Sequence, residues 1–418
     1  MPAAILGLLA ALSVTTARAG ELDLGILPGA GAAIAMFAVM HLALRRWTPE
    51  ADPYILPLVG VLTGIGLAEI HRLNPELARQ QLIWIAIATV VFVAVLSFVP
   101  DPRRLQDYRY IFGVVAVLLL VATMLFGETI FGARLWIRLP GGQTVQPGEL
   151  VKVLLVLFLA GYLRDKREVL AVPTRRLLGM GVPAARHFGP VVAFWGLALL
   201  LVVALNDFGT ALLFFGVFLA MLFLASGRVA YVAIGGALFA AGSALILSAV
   251  PRVGDRVDAW LRPFDDPDGK GYQLVQSLYA MADGGTIGPG LGQGFLVQAN
   301  GNPVVPTLET DFIFAAIATE LGFVGAVGVL LTFLLLVQRG FVVAIGAPDG
   351  YLKLLAGGLT VVVGLQALVI VGGIVRLIPL TGVTLPFMSY GGSSVVVNFG
   401  LIAMLALVSH HSARGAAR

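Results

Sequence analysis

Long apolar runs, separated by short polar stretches, recur along almost the whole of this sequence. A run of about 20 apolar residues is long enough to cross a bilayer as an α-helix. The pattern therefore predicts an all-α polytopic membrane protein. The predicted spans lie near residues 2–18, 25–44, 53–70, 80–99, 109–126, 148–163, 188–205, 207–226, 229–250, 311–337, 354–375 and 385–408.

The first of these runs has two interpretations. MPAAILGLLAALSVTTARAG has a short apolar core and ends on small residues, as a secretory signal peptide does. It lacks the basic residues that precede the apolar core of a signal peptide. We favour a short membrane helix, and whether this helix is retained stays open.

Composition agrees with the membrane assignment. The chain is 59% hydrophobic and 12% charged, whereas a soluble domain has roughly 45–50% apolar and about 25% charged residues. The sequence contains no cysteine. Disulfide bonds, thiolate nucleophiles and thiolate metal ligands are therefore excluded.

The distribution of arginine and lysine predicts the orientation in the membrane. Cytoplasmic connections of multi-pass proteins carry an excess of these residues, and this excess fits an amino terminus on the inside. Its members are Arg45, Arg46, Arg103, Arg104, Arg109, Arg164, Lys166, Arg167, Arg175, Arg176, Arg186, Arg228, Arg339, Arg414 and Arg418. The longest connection, residues 251–310, then faces outside. The net charge of +4 reflects topology and does not indicate nucleic-acid binding.

The 251–310 connection has its own pattern. Trp260 and Phe264 stand among charged residues, which indicates a segment at the membrane interface. Residues 272–282 have apolar positions at a spacing of four, which predicts a short amphipathic helix. Glycines crowd residues 284–294 without the strand and GK[ST] signals of a nucleotide loop, so no nucleotide cofactor is expected. Two interpretations of this glycine-rich loop stay open: a tight, mobile loop, or a loop shaped around a headgroup.

Three carboxylates mark the tenth predicted span. PTLETDFIFAAIATELG, residues 306–322, places Glu309 and Asp311 at its start and Glu320 inside it. Thr310 is a good N-cap, and an acid in a first turn complements the helix dipole. Charged groups at membrane depth are costly, however, and usually serve a function. Asp311 is thus either a partner of the helix dipole or a functional carboxylate.

Further polar groups lie at the same predicted outer boundary. Gln146, Glu149 and Lys152 recur every three residues and share one face of the sixth span. A plain ion pair between Glu149 and Lys152 is the structural alternative. Asp207 fits a helix cap and a site residue equally well. The remaining members of this set are Arg134 and Trp136.

Four ordered motifs resemble the SEDS family, which includes RodA, FtsW and SpoVE. They are VQPGELVK at 145–152, NDFGTAL at 206–212, PTLETDFIFAAIATELGFVG at 306–325 and LIPLTGVTLPFMSYGGSS at 377–394. The resemblance covers roughly residues 53–410. It implies a ten-helix core in residues 51–410, with the extracytoplasmic loop at 251–310. Residues 1–50 would add two N-terminal helices, as in actinobacterial RodA-like members, and residues 411–418 a cytoplasmic tail.

The resemblance implies an inverting peptidoglycan glycosyltransferase. Such an enzyme polymerises lipid II into glycan strands on the outer face of the bacterial cytoplasmic membrane, here for elongation and cell shape. The alternatives are a division-specific FtsW-type member and a lipid II flippase. Asp311 matches the essential aspartate in the TDFIF motif. The usual PE-x-HTDFIF reads PTLETDFIF here, with Thr307 in place of the acid and Glu309 in place of the histidine.

The chemistry of this reaction suits the candidate residues. A carboxylate at Asp311 can accept the proton of the acceptor hydroxyl, and cations can stabilise the departing pyrophosphate. A divalent cation, Mg²⁺ or Mn²⁺, is a hypothesis with Glu149, Asp207 and Asp311 as oxygen ligands. The expected protein partner is a class B penicillin-binding protein that supplies the transpeptidase. The predicted substrate-binding residues are Arg134, Trp136, Gln146, Glu149, Lys152, Asp207, Ser389, Ser393 and Ser394.

Overall fold

The structure, a computed structural model, is mostly helical. It describes residues 27–130, 132–139, 142–171, 175–177, 180–182, 196–197, 199–249, 251–297 and 303–416. The predicted first span and the first half of the predicted seventh span lie outside these residues. The described helices are α1 Leu27–Trp47, α2 Ile55–Leu73, α3 Pro75–Phe98, α4 Arg109–Phe126, α5 Pro147–Ala171, α6 Phe208–Ser226, α7 Val229–Ala249, α8 Pro251–Leu261, α9 Tyr272–Asp283, α10 Ile313–Gly346, α11 Gly350–Ile374 and α12 Gly392–Ala416.

Short strands occupy two of the connections. A three-stranded antiparallel sheet with the order β1-β2-β3 follows α4. Its strands are β1 Glu128–Ile130, β2 Ala133–Arg138 and β3 Thr144–Val145. A second pair, β4 Arg175–Leu177 with β5 Met180–Val182, is also antiparallel. These strands follow membrane helices α4 and α5 and leave the all-helical character of the spans unchanged.

The apolar runs of the sequence form helices that suit a bilayer. Eight described helical stretches are long and apolar enough to span it. A helix satisfies its own backbone hydrogen bonds, which lipid cannot do. The chain is therefore a multi-pass membrane protein, as the hydropathy pattern predicts. These stretches are Leu27–Trp47, Ile55–Leu73, Pro75–Phe98, Pro102–Phe126, Phe208–Ser226, Ile313–Gly346, Gly350–Ile374 and Gly392–Gly415.

The chain divides into two compact units. Unit one consists of Met1–Ser97, Val250–Arg339 and Gln366–Ala403. Its described core includes the buried side chains of Ile70 and Phe399. The α2 helix approaches the backbone at Met388 so closely that there is no room for a side chain at Gly66. Unit one holds the whole 303–339 segment, and with it the predicted catalytic carboxylate.

Unit two consists of Phe98–Ala249, Gly340–Leu365 and Met404–Arg418. Within it, α4 packs against α5, and α5 packs against α6. Gly358 allows close packing in this core, because a Cβ there would lie 2.7 Å from Val156 Cγ1 and 2.9 Å from Met221 Cε. The predicted sixth span forms α5, with Glu149 in its first turn and Lys152 three positions further along the helix.

Candidate active site

The segment before α10 forms a tight turn. The backbone nitrogens of Thr310 and Asp311 both donate to the carbonyl oxygen of Thr307 at 3.1 Å, and Thr307 has a left-handed φ of 57°. Helix α10 begins only at Ile313. The Thr310 hydroxyl donates to the Thr307 carbonyl at 3.1 Å, so the predicted N-cap at Thr310 is wrong. Asp311 stands two positions before the helix, on a turn that the chain closes by itself.

A cavity of about 240 Å³ lies beside this turn. Its charged lining residues are Asp255, Arg256, Lys270 and Asp311, and its apolar lining includes Phe312. All of these residues belong to unit one. An apolar cavity with a few converging charged groups is the usual form of a small-molecule site. The cavity therefore gives the predicted catalytic carboxylate a place to meet a substrate.

The environment of Asp311 changes its acidity. Its side chain is half-buried, and burial raises its pKa from 3.8 to about 6. The Arg256 guanidinium acts against this increase, whereas the charge of Glu309 adds to it. A general base works best when its pKa lies near the operating pH. A strongly shifted carboxylate in a cavity is also a recognised sign of a functional site.

Gly382 keeps the space between the two charged side chains clear. It has a left-handed φ of 68°. A Cβ at this position would lie 3.8 Å from Asp311 Oδ2 and 3.9 Å from Arg256 Nη2. The carboxylate and the guanidinium thus reach the same small volume, and a glycine leaves that volume open.

The SYGGSS motif fastens the turn before α10. The Ser389 hydroxyl donates to the carbonyl oxygen of Thr310. The backbone nitrogen of Tyr390 donates to the carbonyl oxygen of Glu309 at 2.9 Å. The two residues that precede Asp311 are therefore held by direct hydrogen bonds, and this fixes the direction from which its carboxylate enters the cavity.

Helix α3 anchors the SYGGSS motif in turn. The side-chain amide of Gln81 donates to the carbonyl oxygen of Ser389 at 3.1 Å. The Tyr390 hydroxyl donates to the side-chain oxygen of Gln80 at 2.7 Å. The turn before α10, the SYGGSS motif and α3 therefore form one connected hydrogen-bond network within unit one.

The three predicted substrate-binding serines lie outside the lining of the cavity. Ser389 is buried, and the Ser394 hydroxyl accepts a hydrogen bond from Thr384 at 2.9 Å. Ser393 is at the start of α12. The observed contacts of Ser389 and Ser394 are hydrogen bonds to other parts of the protein. Direct substrate binding by these serines stays a prediction.

The glycine-rich loop, residues 284–294, closes over a break in α10. The break is at Gly322, whose φ of 68° and ψ of −168° interrupt the helix. The nitrogen of Phe323, which the break leaves without its helical partner, donates to the carbonyl of Gly285 at 2.9 Å. A Cβ on Gly322 would lie 2.5 Å from the nitrogen of Gly288. The described contacts are thus those of a tight loop whose glycines admit another backbone.

Glu320 ties this loop to the membrane helices. Its carboxylate accepts from the nitrogen of Gly292 at 2.6 Å, and its carbonyl accepts from Gly290 at 2.9 Å. Arg72 of α2 forms an ion pair with the same carboxylate at 3.3 Å. Glu69 is also fully buried and interacts with Glu320. Glu320 therefore faces α2 and the glycine-rich loop, and these contacts give it a structural role.

In unit two, Glu149 and Lys152 form a buried ion pair. The Lys152 ammonium lies 2.6 Å from Glu149 Oε2, and their side chains are 1% and 7% exposed. Gln146 precedes them, and its carbonyl accepts from the nitrogen of Glu149 at 3.1 Å. The structural alternative is therefore observed. A buried pair of charges carries a desolvation cost that hydrophobic residues would avoid, so a role in the reaction stays open.

The other predicted residues of unit two have local partners. Asp207 caps α6 and accepts from the nitrogen of Thr210 at 3.0 Å. The Arg134 guanidinium donates to the carbonyl of Met124 near the end of α4 at 2.8 Å. Trp136 lies in β2, half-buried. The cap interpretation of Asp207 is confirmed, and its binding role stays a prediction.

Within either unit, the described residues hold no group of three or more His, Asp or Glu side chains placed to bind a metal ion. A preformed ion site of the usual kind, rich in carboxylates, is not seen in this part of the chain. The divalent cation stays a prediction.

Fold and site together define a multi-pass membrane protein with a carboxylate-bearing cavity that is lined, within one unit, by α8, α9, the turn before α10 and the end of α11. Residues 54–414 match the model of the FtsW, RodA and SpoVE family of cell cycle proteins. The chain belongs to this family. The match agrees with the resemblance that the four motifs indicate for roughly residues 53–410.

Curated relatives come from all three branches of the family. Peptidoglycan glycosyltransferase RodA of Mycobacterium tuberculosis (strain ATCC 25618 / H37Rv) is 39% identical over 91% of this chain and 82% of its own. Stage V sporulation protein E of Bacillus subtilis (strain 168) is 33% identical over 80% of this chain and 87% of its own. A probable peptidoglycan glycosyltransferase FtsW of Geobacter sp. (strain M18) is 36% identical over 73% of this chain and 78% of its own.

Solved structures share the fold. One is a chain from work on the structural coordination of polymerization and crosslinking by a peptidoglycan synthase complex. It has a TM-score of 0.70 and 27% identity, over 87% of this chain and 98% of that chain. The rod shape determining protein RodA of Thermus thermophilus has a TM-score of 0.59 and 24% identity, over 86% of this chain and 96% of that chain. The second likeness shows the fold alone.

Sequence reasoning missed two groups of charged residues. Arg256 shares the cavity with Asp311, but 55 positions separate them in the sequence, and only the fold brings them together. Glu69 and Arg72 lie inside a predicted span, and charged groups there are a signal for a functional or structural cluster. That signal was present in the LAEIHRL stretch.

Proposed function

We propose that the chain is an inverting peptidoglycan glycosyltransferase that polymerises lipid II, with Asp311 as the general base. Relatives that are 39% identical over 91% of the chain carry the name peptidoglycan glycosyltransferase RodA. The observation that supports the residue assignment is the cavity beside Asp311, in which burial raises the pKa of that carboxyl to about 6.

The reaction needs one displacement. The 4-hydroxyl oxygen of the acceptor sugar attacks the anomeric carbon of the donor, and the bond from that carbon to the pyrophosphate oxygen breaks. Asp311 takes the hydroxyl proton as the new glycosidic bond forms. At neutral pH a carboxyl group with a pKa of about 6 is mostly ionised, so it is ready to accept a proton. It is also a stronger base than an exposed aspartate.

The departing pyrophosphate carries negative charge and needs cations. We assign Lys152 and Arg134 to this role, as the sequence motifs suggest. Lys152 is held by Glu149 in a buried pair, which gives its ammonium group a fixed position. Preorganised charges of this kind stabilise a transition state without reorganisation at the moment of reaction. A divalent cation, which stays a hypothesis, would add to this neutralisation.

We further propose that the site faces outward from the bacterial cytoplasmic membrane and works with a class B penicillin-binding protein. The orientation is supported by the arginine and lysine pattern of the connections. The partner is supported by the likeness to a chain of a peptidoglycan synthase complex that joins polymerization to crosslinking. Elongation is the favoured role, since relatives at 39% identity are named RodA, whereas two FtsW relatives from Geobacter are 36% and 31% identical.

The test is polymerisation of labelled lipid II by the purified protein, with and without its transpeptidase partner. Glycan strands should appear on a gel, with undecaprenyl pyrophosphate released in proportion. Lipid movement between the leaflets of a vesicle, with no glycan formed under any of these conditions, would support the flippase alternative and refute the enzyme.

A further inference from the structure

Helix α8 brings a cation to the carboxylate of the proposed site. Arg256 of α8 lines the cavity together with Asp311. Arg256 Nη2 and Asp311 Oδ2 both come within 4 Å of the same point, the position that a Cβ on Gly382 would take, at 3.9 and 3.8 Å. The guanidinium and the carboxylate are therefore no more than about 8 Å apart, and the charge of Arg256 lowers the pKa of Asp311 across a partly buried space.

A second arginine fixes the end of α8. The Arg376 guanidinium donates to the carbonyl of Trp260 at 2.8 Å and to that of Leu261 at 2.6 Å. The Trp260 indole nitrogen donates back to the carbonyl of Arg376 at 3.2 Å. The last carbonyls of a helix have no partner within it, and a cation at that end complements the helix dipole. We call this arrangement the Arg376 clamp.

The backbone at Arg376 supports the importance of the clamp. Its φ is 63°, in the left-handed region that is unfavourable for a residue with a long side chain. Such a conformation persists when surrounding contacts determine it. The clamp connects α8 to the segment after α11, and that segment also lines the cavity through Leu380, Thr381 and Gly382.

An ion pair at the edge of the cavity adds a weaker hold. Lys270 Nζ lies 2.5 Å from Asp255 Oδ1, and both side chains are about half exposed. The hydrogen bond to Asp255 raises the pKa of Lys270. Exposed pairs of this kind contribute little to stability. Lys270 and Asp255 therefore complete the charged surroundings of Asp311, and the Arg376 clamp has the better geometry for fixing α8.

We propose that Arg256 is a positioning residue of this site, which holds the Asp311 carboxylate ionised and in place, and that the Arg376 clamp fixes α8 for this purpose. The inference rests on the proposed function of Asp311 as the general base. It gives Arg256 a role at the base that activates the acceptor hydroxyl, whereas Lys152 and Arg134 have the proposed role at the departing pyrophosphate.

The expected signature is a change in pH dependence. The charged groups that face Asp311 are Arg256 and Asp255 of α8, Lys270 of the following loop and Glu309 of its own segment. Burial raises the pKa of Asp311 to about 6, and Arg256 opposes that increase. Activity needs the ionised carboxylate, so it rises with pH through this value. Without Arg256 the pKa of Asp311 rises further, and the acidic limb of the pH–rate profile moves to higher pH.

The experiment measures kcat/KM for lipid II polymerisation from about pH 5.5 to about pH 9, where such limbs report the free enzyme's base. Arg256→Gln should move the acidic limb of the pH–rate profile to higher pH. Activity below the limb falls about tenfold for each pH unit of that movement, and activity should recover toward high pH. Arg256→Lys keeps a charge and should leave the limb near that of the parent. Arg376→Gln should lower the rate and move the limb in the same direction.

Arg262→Gln is the matched control, because Arg262 is an exposed arginine just beyond the same helix end. It should leave both rate and limb unchanged. The inference is overturned if the Arg256→Gln enzyme has the same acidic limb in its pH–rate profile as the parent. It is also overturned if the limb of the Arg256→Lys enzyme moves as far as that of the folded Arg256→Gln enzyme. If the parent itself shows no acidic limb, or Asp311→Asn is as active as the parent, the failure lies in the proposed base and not only in Arg256.

Discussion

Replacing Asp311 by asparagine distinguishes two roles of this residue, a partner of the helix dipole and a general base. The substitution keeps the shape of the side chain and removes its ability to accept a proton as a carboxylate does. A charge that only complements a helix dipole contributes about 0.3–1 kcal/mol to stability. The structure weakens that explanation, since α10 begins at Ile313 and the turn before it is closed by Thr307 and the SYGGSS motif. Loss of such a small term would leave turnover near normal.

A general base contributes far more. Proton transfer by a positioned side chain accelerates a reaction about 10²–10⁴-fold, which corresponds to roughly 3–5 kcal/mol of transition-state stabilisation. We therefore expect Asp311→Asn to abolish detectable glycan synthesis while the protein still accumulates in the membrane and binds its partner. The assay is the length and amount of glycan made from labelled lipid II, together with the amount of folded protein in detergent.

Glu309→Gln is the control for this experiment. Glu309 lies two positions away on the same turn, and its side chain is outside the lining of the cavity. Its backbone carbonyl, which accepts from Tyr390, is unchanged by the substitution. The Glu309→Gln protein should keep a measurable fraction of the parent's activity. Equal and modest losses from both substitutions would refute the reasoning, because a shared loss of charge would then explain both.

Three further predictions follow from the proposed site. Lys152→Met should sharply reduce polymerisation. The substitution also leaves Glu149 buried without its partner, which costs about 3–5 kcal/mol of stability. The double substitution with Glu149→Gln should therefore restore accumulation of the protein in the membrane without restoring activity. Parent-like activity of Lys152→Met would reduce the lysine to a structural partner. Excess chelator should lower the rate of lipid II polymerisation, and Mg²⁺ or Mn²⁺ should restore it; full activity in chelator would remove the cation hypothesis. A reporter inserted after Asp268 should be extracytoplasmic and one after Leu177 cytoplasmic, and the opposite result at either position would reverse the orientation of the active site.

Much of the fold is determined locally. In lipid, an apolar run has to satisfy its own backbone hydrogen bonds, so helix is the accessible structure for each long run. This is why the runs near 53–70, 80–99 and 354–375 predict α2, α3 and α11 so closely. The short amphipathic helix predicted over 272–282 appears as α9, Tyr272–Asp283.

Local pattern did not determine where α10 begins or breaks. The sequence predicts a start at residue 311 with Thr310 as the cap, but that threonine bonds to Thr307 and the helix starts at Ile313. The break at Gly322 was also missed. A single glycine within an apolar run is compatible with an unbroken helix. The break is stabilised by hydrogen bonds that the nitrogens of Phe323 and Val324 donate to the carbonyls of Gly285 and Thr286, 38 positions earlier in the chain.

The candidate site shows the same division. The TDFIF motif alone identified Asp311, because the resemblance assigns a role to that position. The cavity, the raised pKa and the approach of Arg256 depend on α8, on the segment after α11 and on the turn before α10, which are far apart in the chain. Burial and Coulomb interactions depend on distance in space and on local solvation. A sequence records neither quantity, so the identity of the carboxylate was predictable, and its basicity and its arginine partner required the tertiary structure.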